Sequence, residues 1–520
     1  WNWKTSGNVK SPSRLSDASG GRRDGAVLCF NSFISASRPL GMIRINSTDC
    51  EFQIEPPAYG DPDRRHWKKW LQNKKAISQS LKNICYEPPA VKKSEWGRVH
   101  PVFYPDDTGR QVHGIFLYIL RRESETVAAY TVGLGAQEQQ LISACMKRLK
   151  EAVEEGYDQF QEHAKWWTQF WNKSDLKIPD QLLEKNWYLG NYLLGSCSRK
   201  GYYPMPLQGV WTADNGELPP WKGDYHHDLN TELCYSSYAK ANHLEEGESL
   251  IDYLFQLEDQ AKKFAAAYFE APGMCLPGVM DLQGNPLGGW PMYALSPTNQ
   301  LWLCHLIKKH SDYLGDQAFL EQKAYPYIKE CAKLILALLV RDENGELTLP
   351  LSSSPAIHDN TLKACLRPIP IMILPDALLF EDLYHMSIAL NLEADQEIWE
   401  NTLAALAPLY TDTDGCLKIN RYERLQSSHR HFSHLMSIHP LRTLRYDNEE
   451  HQKGIMLDPD LERLGPDHYV GYSYAWLANL YTVEKNGQKA RDTLHLFFRY
   501  FCSPNGFHLN GDFQDQDTAS

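Results

Sequence analysis

No run of about twenty apolar residues occurs along the chain, so no membrane span is expected. There is no Cys-Xaa-Xaa-Cys pair and no Cys/His cluster at zinc spacing; the 12 cysteines are scattered singly. Cys197, Cys234, Cys304 and Cys331 lie among apolar neighbours and read as small buried side chains. Positive charge is in deficit: a net charge of −12 at pH 7 gives no electrostatic reason to expect nucleic acid or an anionic membrane as partner. A glycine-rich phosphate loop, a Gly-Xaa-Ser-Xaa-Gly elbow and a His-Glu-Xaa-Xaa-His pair are all missing, which removes three common catalytic signatures. No signal segment is visible, and the first residue is Trp1 rather than Met, which reads as a processed or trimmed start.

Aromatics, by contrast, are plentiful, with 15 Trp and 28 Tyr. Sugars present C–H faces that stack on such rings, although large helical proteins also use them as core. A length of 520 residues exceeds one ordinary core and predicts more than one domain. Residues 1–136 carry short strand-like runs: Ala26–Phe30, Met42–Ile45, and Gly114–Leu120 followed by Thr126–Gly133 as a hairpin. They predict an antiparallel β-sandwich. Residues 137–177 turn helical and read as a linker, with Trp166, Trp167, Phe170 and Trp171 docking it. From 178 to 520 helix follows helix, at 179–197, 243–270, 298–313, 323–340, 376–391, 395–409, 429–437, 472–484 and 488–501. The loops between them are long and rich in Gly and Pro (203–224, 271–297 and 350–374), and loops of that length in a compact domain usually carry function.

Five stretches could do chemistry. The densest contains Trp211 and Trp221, then Tyr225, His226, His227, Asp228, Asn230 and Glu232. If this segment is extended, Asp228, Asn230 and Glu232 share one face; if it opens a helix, they are capping residues. The second, Ser352 to Asn360, includes Ala356, His358 and Asp359, and on its own is also compatible with turn chemistry. The third is His429-Arg430-His431-Phe432-Ser433-His434-Leu435, a polar pocket; a metal site is the weaker reading because no acidic ligand lies near. The fourth, Gly471 to Trp476, equally fits a helix start with core packing. The fifth is Phe507 to Asp512, which includes Asn510.

Taken in order across about 300 residues, these stretches resemble glycoside hydrolase family 95, the inverting α-L-fucosidase and α-L-galactosidase family. The matches are Leu207-Gln208-Gly209-Val210-Trp211, Pro220-Trp221, Tyr225 through Glu232, Ser354-Pro355, His429 through Leu435, and Gly471 through Trp476 with Tyr472 in place of Trp. The resemblance implies an N-terminal β-sandwich, a helical linker and an (α/α)6 barrel with the site at its loop-bearing end. It places the family's acidic residue at position 356, where this chain has Ala, which cannot protonate a leaving oxygen. Either this is a natural departure or the acid has been substituted to trap substrate; the intact loop around it favours the second, and Asp359 is the fallback acid. The family's first water-binding amide stands here as Asp228 and its second as Asn230, while its downstream carboxylate aligns with Asn510 or a partner beyond Ser520.

Inverting hydrolysis needs an acid on the leaving oxygen and a base on a water at the opposite face, with the two carboxyls about 6.5–9.5 Å apart. The resemblance therefore gives the acid to position 356 (Glu when active) and the base to Asp228, with Asn230 orienting the water. Trp211, Trp221, Tyr225, His226, His227, Glu232, His358, His429, His431 and Trp476 are the candidate sugar-binding residues. No cofactor and no metal are expected. The expected partner is an oligosaccharide or polysaccharide, in a periplasmic or secreted setting, with the oligomeric state open. The rivals are a disaccharide phosphorylase or another sugar's hydrolase on the same barrel, a degenerate barrel that only binds glycans, and a purely structural helical repeat.

Overall fold

The computed structural model describes residues 19–23, 26–50, 90–91, 102–105, 112–156, 159–207, 224–227, 229–287, 291–350, 373–444, 459–503 and 506–508. The chain divides into two compact units, one formed up to Lys173 and the other from Ser174 onward, residues 211–220 excepted.

Short runs rich in apolar and β-branched residues in the first unit form seven strands: β1 (Ser19–Arg23), β2 (Ala26–Ile34), β3 (Gly41–Ile45), β4 (Ala90–Val91), β5 (Val102–Pro105), β6 (Val112–Arg121) and β7 (Thr126–Gly135). They form one antiparallel sheet in the order β1-β2-β3-β7-β6-β5-β4. The β6–β7 hairpin is the one expected, with Phe116 opposite Thr131. One face of the sheet (Phe33, Met42, Phe116, Val127, Ala129) packs on Leu141, Cys145, Leu149 and Val153 of the following helix. The opposite face, through Ile43, Leu117 and Ala128, is buried as well. A second sheet, which a sandwich requires, is not among the described residues.

The helical segment expected over 137–177 holds two helices, Glu138–Glu155 and Gln159–Trp171, and both belong to the sheet unit. The first ends at Gly156, whose φ of 66° and ψ of −152° lie in a region that glycine adopts without strain. Trp166, Trp167, Phe170 and Trp171 stack on one another along the second.

In the second unit the principal helices are Gln181–Cys197, Asn230–Cys234, Leu244–Gln256, Asn299–Leu314, Tyr325–Leu338, Ile373–Ala389, Glu393–Ala405, Gly471–Val483 and Gly487–Tyr500. The helices from Leu244 to Ala405 meet in one large core that includes Leu250, Leu254, Leu303, Ile307, Ile328, Ile335, Phe380 and Leu383, whereas Gly471–Val483 packs in a separate cluster through Trp476 and Leu480. The last described helix packs on the first of this unit. Asp180 caps Gln181–Cys197 by accepting from Leu183 N–H at 3.2 Å, and its other oxygen lies 2.6 Å from His495 Nε2. Among the described residues no helix is long and apolar enough to cross a membrane.

Candidate active site

A two-stranded ribbon anchors the first motif. Tyr225 and His226 pair with Met280 and Val279, and His227 N–H donates to Gly278 O at 2.7 Å. Only glycine fits at 278, because a Cβ there would stand 2.0 Å from the Tyr293 carbonyl oxygen and 2.1 Å from Asn299 Nδ2. The chain then turns directly into the helix Asn230–Cys234. This overturns the extended reading for Asn230 and Glu232. Asn230 and Glu232 lie two apart in a helical turn and therefore do not share a face, and Glu232 is fully buried. The turn is held by Thr231, whose hydroxyl donates to His226 O at 2.8 Å.

That bond fixes the chemistry of His227. Thr231 Oγ1 has committed its hydrogen, so at 3.1 Å it accepts from His227 Nδ1, and Nδ1 carries the ring proton. Nε2 is then an acceptor, buried and without a hydrogen-bond partner among the described residues. Burial, assisted by the charge of His226, pulls the His227 pKa down to about 3, so the imidazole is neutral at physiological pH. Its ring lies parallel to Tyr225 at 6.2 Å. Tyr225 itself is a wall rather than a hydroxyl donor to a ligand, because its O–H is taken by Pro204 O at 2.8 Å. His226 Nδ1 pairs at 3.1 Å with Asp224, a buried acid outside the candidate list. The signal for Asp224 was its i, i+2 spacing from His226 in an extended segment.

The third, fourth and fifth motifs converge on the start of the Gly471–Val483 helix. His431 Nε2 lies 2.8 Å from the Tyr472 hydroxyl, and Ser473 Oγ donates to Arg430 O at 2.7 Å. A Cβ on Gly471 would stand 2.2 Å from His508 Nε2, which brings the fifth motif to the same point. The helix expected over 429–437 is only a 3-10 turn at Ser433–Leu435. The reason is local: His431 N–H bonds the His429 ring at Nδ1 (3.0 Å) instead of a backbone carbonyl, and such bonds compete with helix. The two rings stand 5.5 Å apart. Burial first, then the charges of Arg430 and His429, hold His431 well below the usual histidine range, so it too is neutral. Trp476 belongs to the core: it is 6% exposed, packs on Phe432, and gives its N–H to His439 O at 2.9 Å.

One apolar cluster links the motifs, since Leu229, Trp302, Phe432, Leu435 and Trp476 pack together. Leu378, in the first turns of the Ile373–Ala389 helix, packs with Leu441 beside Met436 and Leu409, which also border that cluster. Two residues earlier stands Asp376, fully buried, with neither carboxyl oxygen hydrogen-bonded among the described residues. Burial raises its pKa well above the ordinary carboxylate range. Sequence reasoning missed this group because an Asp in a first helical turn reads as an exposed helix-start residue. Trp211, Trp221, Asp228, Ala356, His358, Asp359 and Asn510 lie outside the described residues. What the described part supplies is a pair of neutral, directional imidazoles, His227 and His431.

The chain was compared with known proteins. The profile of the "Glycosyl hydrolase family 95 catalytic domain" matches residues 136–516. "Alpha-L-fucosidase 2" of Arabidopsis thaliana is 29% identical over 329 residues, 61% of this chain and 38% of that protein. "Probable alpha-fucosidase A" of Aspergillus niger is 30% identical over 182 residues, 33% of this chain and 22% of that protein. The chain thus spans well under half the length of these curated relatives. In fold it is similar to the solved structure described as "Putative kojibiose phosphorylase from human microbiome", with a TM-score of 0.64 and 13% identity over 92% of this chain and 70% of the other. With the family profile matched over most of its length, the chain belongs to glycosyl hydrolase family 95.

Proposed function

We propose that the chain is the catalytic part of an inverting, exo-acting glycoside hydrolase that releases a terminal sugar, α-L-fucose or α-L-galactose, from a glycan or polysaccharide in a periplasmic or secreted setting. The helical unit is read as an (α/α)6 barrel. Support for that reading comes from the packing of its last described helix on its first and from the fold likeness above. The observation that carries the functional reading is His227. A neutral imidazole whose buried Nε2 bonds no other group among the described residues suits a sugar hydroxyl, and it lies one residue along the chain from Asp228 and three from Asn230. His429 and His431 are the further hydroxyl partners.

In this reading Asp228 takes the proton of a water held by Asn230, while the residue at 356 protonates the leaving oxygen when it is Glu. Asn510 stands where the family has its carboxylate, so the charge is exchanged between 228 and 510 rather than lost. A second reading, glycan binding without turnover, is favoured by one observation: Ala356 has no proton to give.

Proton NMR of the Ala356→Glu protein with α-L-fucosyl and α-L-galactosyl oligosaccharides separates the two. First release of the β-anomer, absent with alanine at 356, is the expected result. Binding without release, with glutamate restored, would replace hydrolysis by the binding reading.

A further inference from the structure

Two adjacent residues at the start of the Gly471–Val483 helix meet two adjacent residues of the histidine motif in reverse order. The Tyr472 hydroxyl lies 2.8 Å from His431 Nε2, and Ser473 Oγ donates to Arg430 O at 2.7 Å. One step further on, Phe432 packs edge-on to Tyr469, with ring centroids 5.2 Å apart. The helix start is held tightly against this pairing. Val470 N–H donates to Ser473 Oγ at 3.1 Å, and a Cβ on Gly471 would stand 2.2 Å from His508 Nε2 and 2.9 Å from Phe501 Cβ. A close joint between two segments thus brings the Tyr472 hydroxyl to His431.

The hydrogen bonds locate the ring protons. His429 Nδ1 accepts from His431 N–H at 3.0 Å, so a neutral His429 carries its proton on Nε2. For His431 the choice rests with Tyr472. Burial, then the charges of Arg430 and His429, keep this ring neutral, so it has one proton for two nitrogens. A phenolic O–H is a good donor, and an unprotonated imidazole nitrogen is a more basic acceptor than a phenol oxygen. The O–H therefore points at Nε2, and the ring proton stays on Nδ1. Among the described residues Nδ1 has no hydrogen-bond partner, and His431 is not fully buried, so this N–H is open to a ligand. A bond that merely satisfied a half-buried ring would need no particular tautomer.

We propose that Tyr472 is a positioning residue for sugar recognition, whose hydroxyl holds His431 in the Nδ1–H tautomer so that the ring meets a sugar hydroxyl as a donor. This role rests on His431 being a hydroxyl partner, as read above, and adds a polarity to it. His227 offers an acceptor at Nε2, whereas His431 offers an N–H. A sugar hydroxyl both donates and accepts, so rings of opposite polarity can each hold one. Without the phenol, the proton of His431 is free to move to Nε2, and the ring loses its fixed sign.

The test uses the full chain with isotopically labelled histidine. Nitrogen NMR separates a protonated ring nitrogen from an unprotonated one, and His431→Gln assigns the signals. Isothermal titration with methyl α-L-fucoside and methyl α-L-galactoside measures binding. The parent should show a protonated Nδ1 and an unprotonated Nε2 at His431. Tyr472→Phe should move the proton to Nε2 and weaken glycoside binding about fivefold. Tyr472→Trp, whose indole N–H can only donate, should restore the tautomer and most of the affinity. A proton on Nε2 in the parent, or an unchanged tautomer in Tyr472→Phe, overturns the proposal. So does a tautomer that follows residue 472 while affinity does not, because the bond is then structural. A parent that binds neither glycoside removes His431 as a sugar partner and this role with it, and the nitrogen signals tell that case from a misplaced proton.

Discussion

His227→Phe isolates one buried group and sets a sign and a size for its effect. Phenylalanine keeps a flat ring against Tyr225 but removes the titrating nitrogen and the bond to Thr231. Near neutral pH that lost bond costs about 1 kcal/mol. Acid changes the balance. An unfolded histidine takes a proton below about pH 6.5, whereas folded His227 resists protonation down to about 3. A folded pKa that is depressed gives stability that is complete above the unfolded value and is lost as pH falls from there toward the folded value. The slope is about 1.4 kcal/mol per pH unit, so between pH 6.5 and 4.5 this residue alone removes on the order of 2.5 kcal/mol from the parent. His431, also depressed, contributes equally to both proteins and cancels in the difference. Urea unfolding followed by tryptophan fluorescence at half-unit pH steps measures it. The variant should start less stable at pH 7 and overtake the parent on acidification. Curves that fall in parallel from pH 7 to 4.5 would refute a neutral, buried His227.

Asp376→Asn should show the opposite pH dependence. The folded pKa of Asp376 is raised, so its contribution is intact below about pH 3.9 and is lost as pH rises; the variant gains on the parent by up to about 1.4 kcal/mol per unit until the folded pKa is passed. Urea midpoints from pH 4 to 8 check this. Gly278→Ala should destabilise the helical unit by about 3 kcal/mol or more, since the added methyl meets a backbone carbonyl that cannot move independently; thermal melting reads it. Trp476→Phe should lower stability by about 1–3 kcal/mol, because it leaves the buried His439 carbonyl without its donor, and calorimetry measures the loss.

Elements with a strong period were legible in the sequence. The hairpin of β6 and β7 shows as two apolar, β-branched-rich runs of ten residues split by a polar turn, and its register follows from that short turn. Helices such as Asn299–Leu314 and Gly487–Tyr500 fall within a residue or two of the predicted spans because their apolar residues recur at helical spacing. What could not be read was set by single side-chain bonds or by burial. Nothing in the pattern of 429–437 announces that the His429 ring will capture a backbone N–H and stop a helix. The side chains from Asp228 to Glu232 alternate in polarity like a strand, yet Thr231 closes the segment into a helical turn through the His226 carbonyl. Burial is a property of the assembled unit. Leu374-Pro375-Asp376 looks like a solvated helix start until Leu378 is packed between the loops that border it.

The same burial gives the site its character. Water is the competitor for every sugar hydroxyl, so a protein gains discrimination by holding acceptors that water does not already satisfy. Among the described residues His227 Nε2 bonds no other group, because Thr231 engages the only ring proton and the ring is too deep to acquire a second. Charge would work against this arrangement. A protonated imidazole would turn the acceptor into a donor and would need an anion beside it. The depressed pKa of His227 is therefore the condition under which one nitrogen can recognise an uncharged ligand. A hydroxyl that bonds Nε2 should depress protonation further, so bound glycan should shift the acid limb of unfolding to lower pH. The shift should be present in the parent and absent in His227→Phe, and an equal shift in both would place the ligand away from this nitrogen.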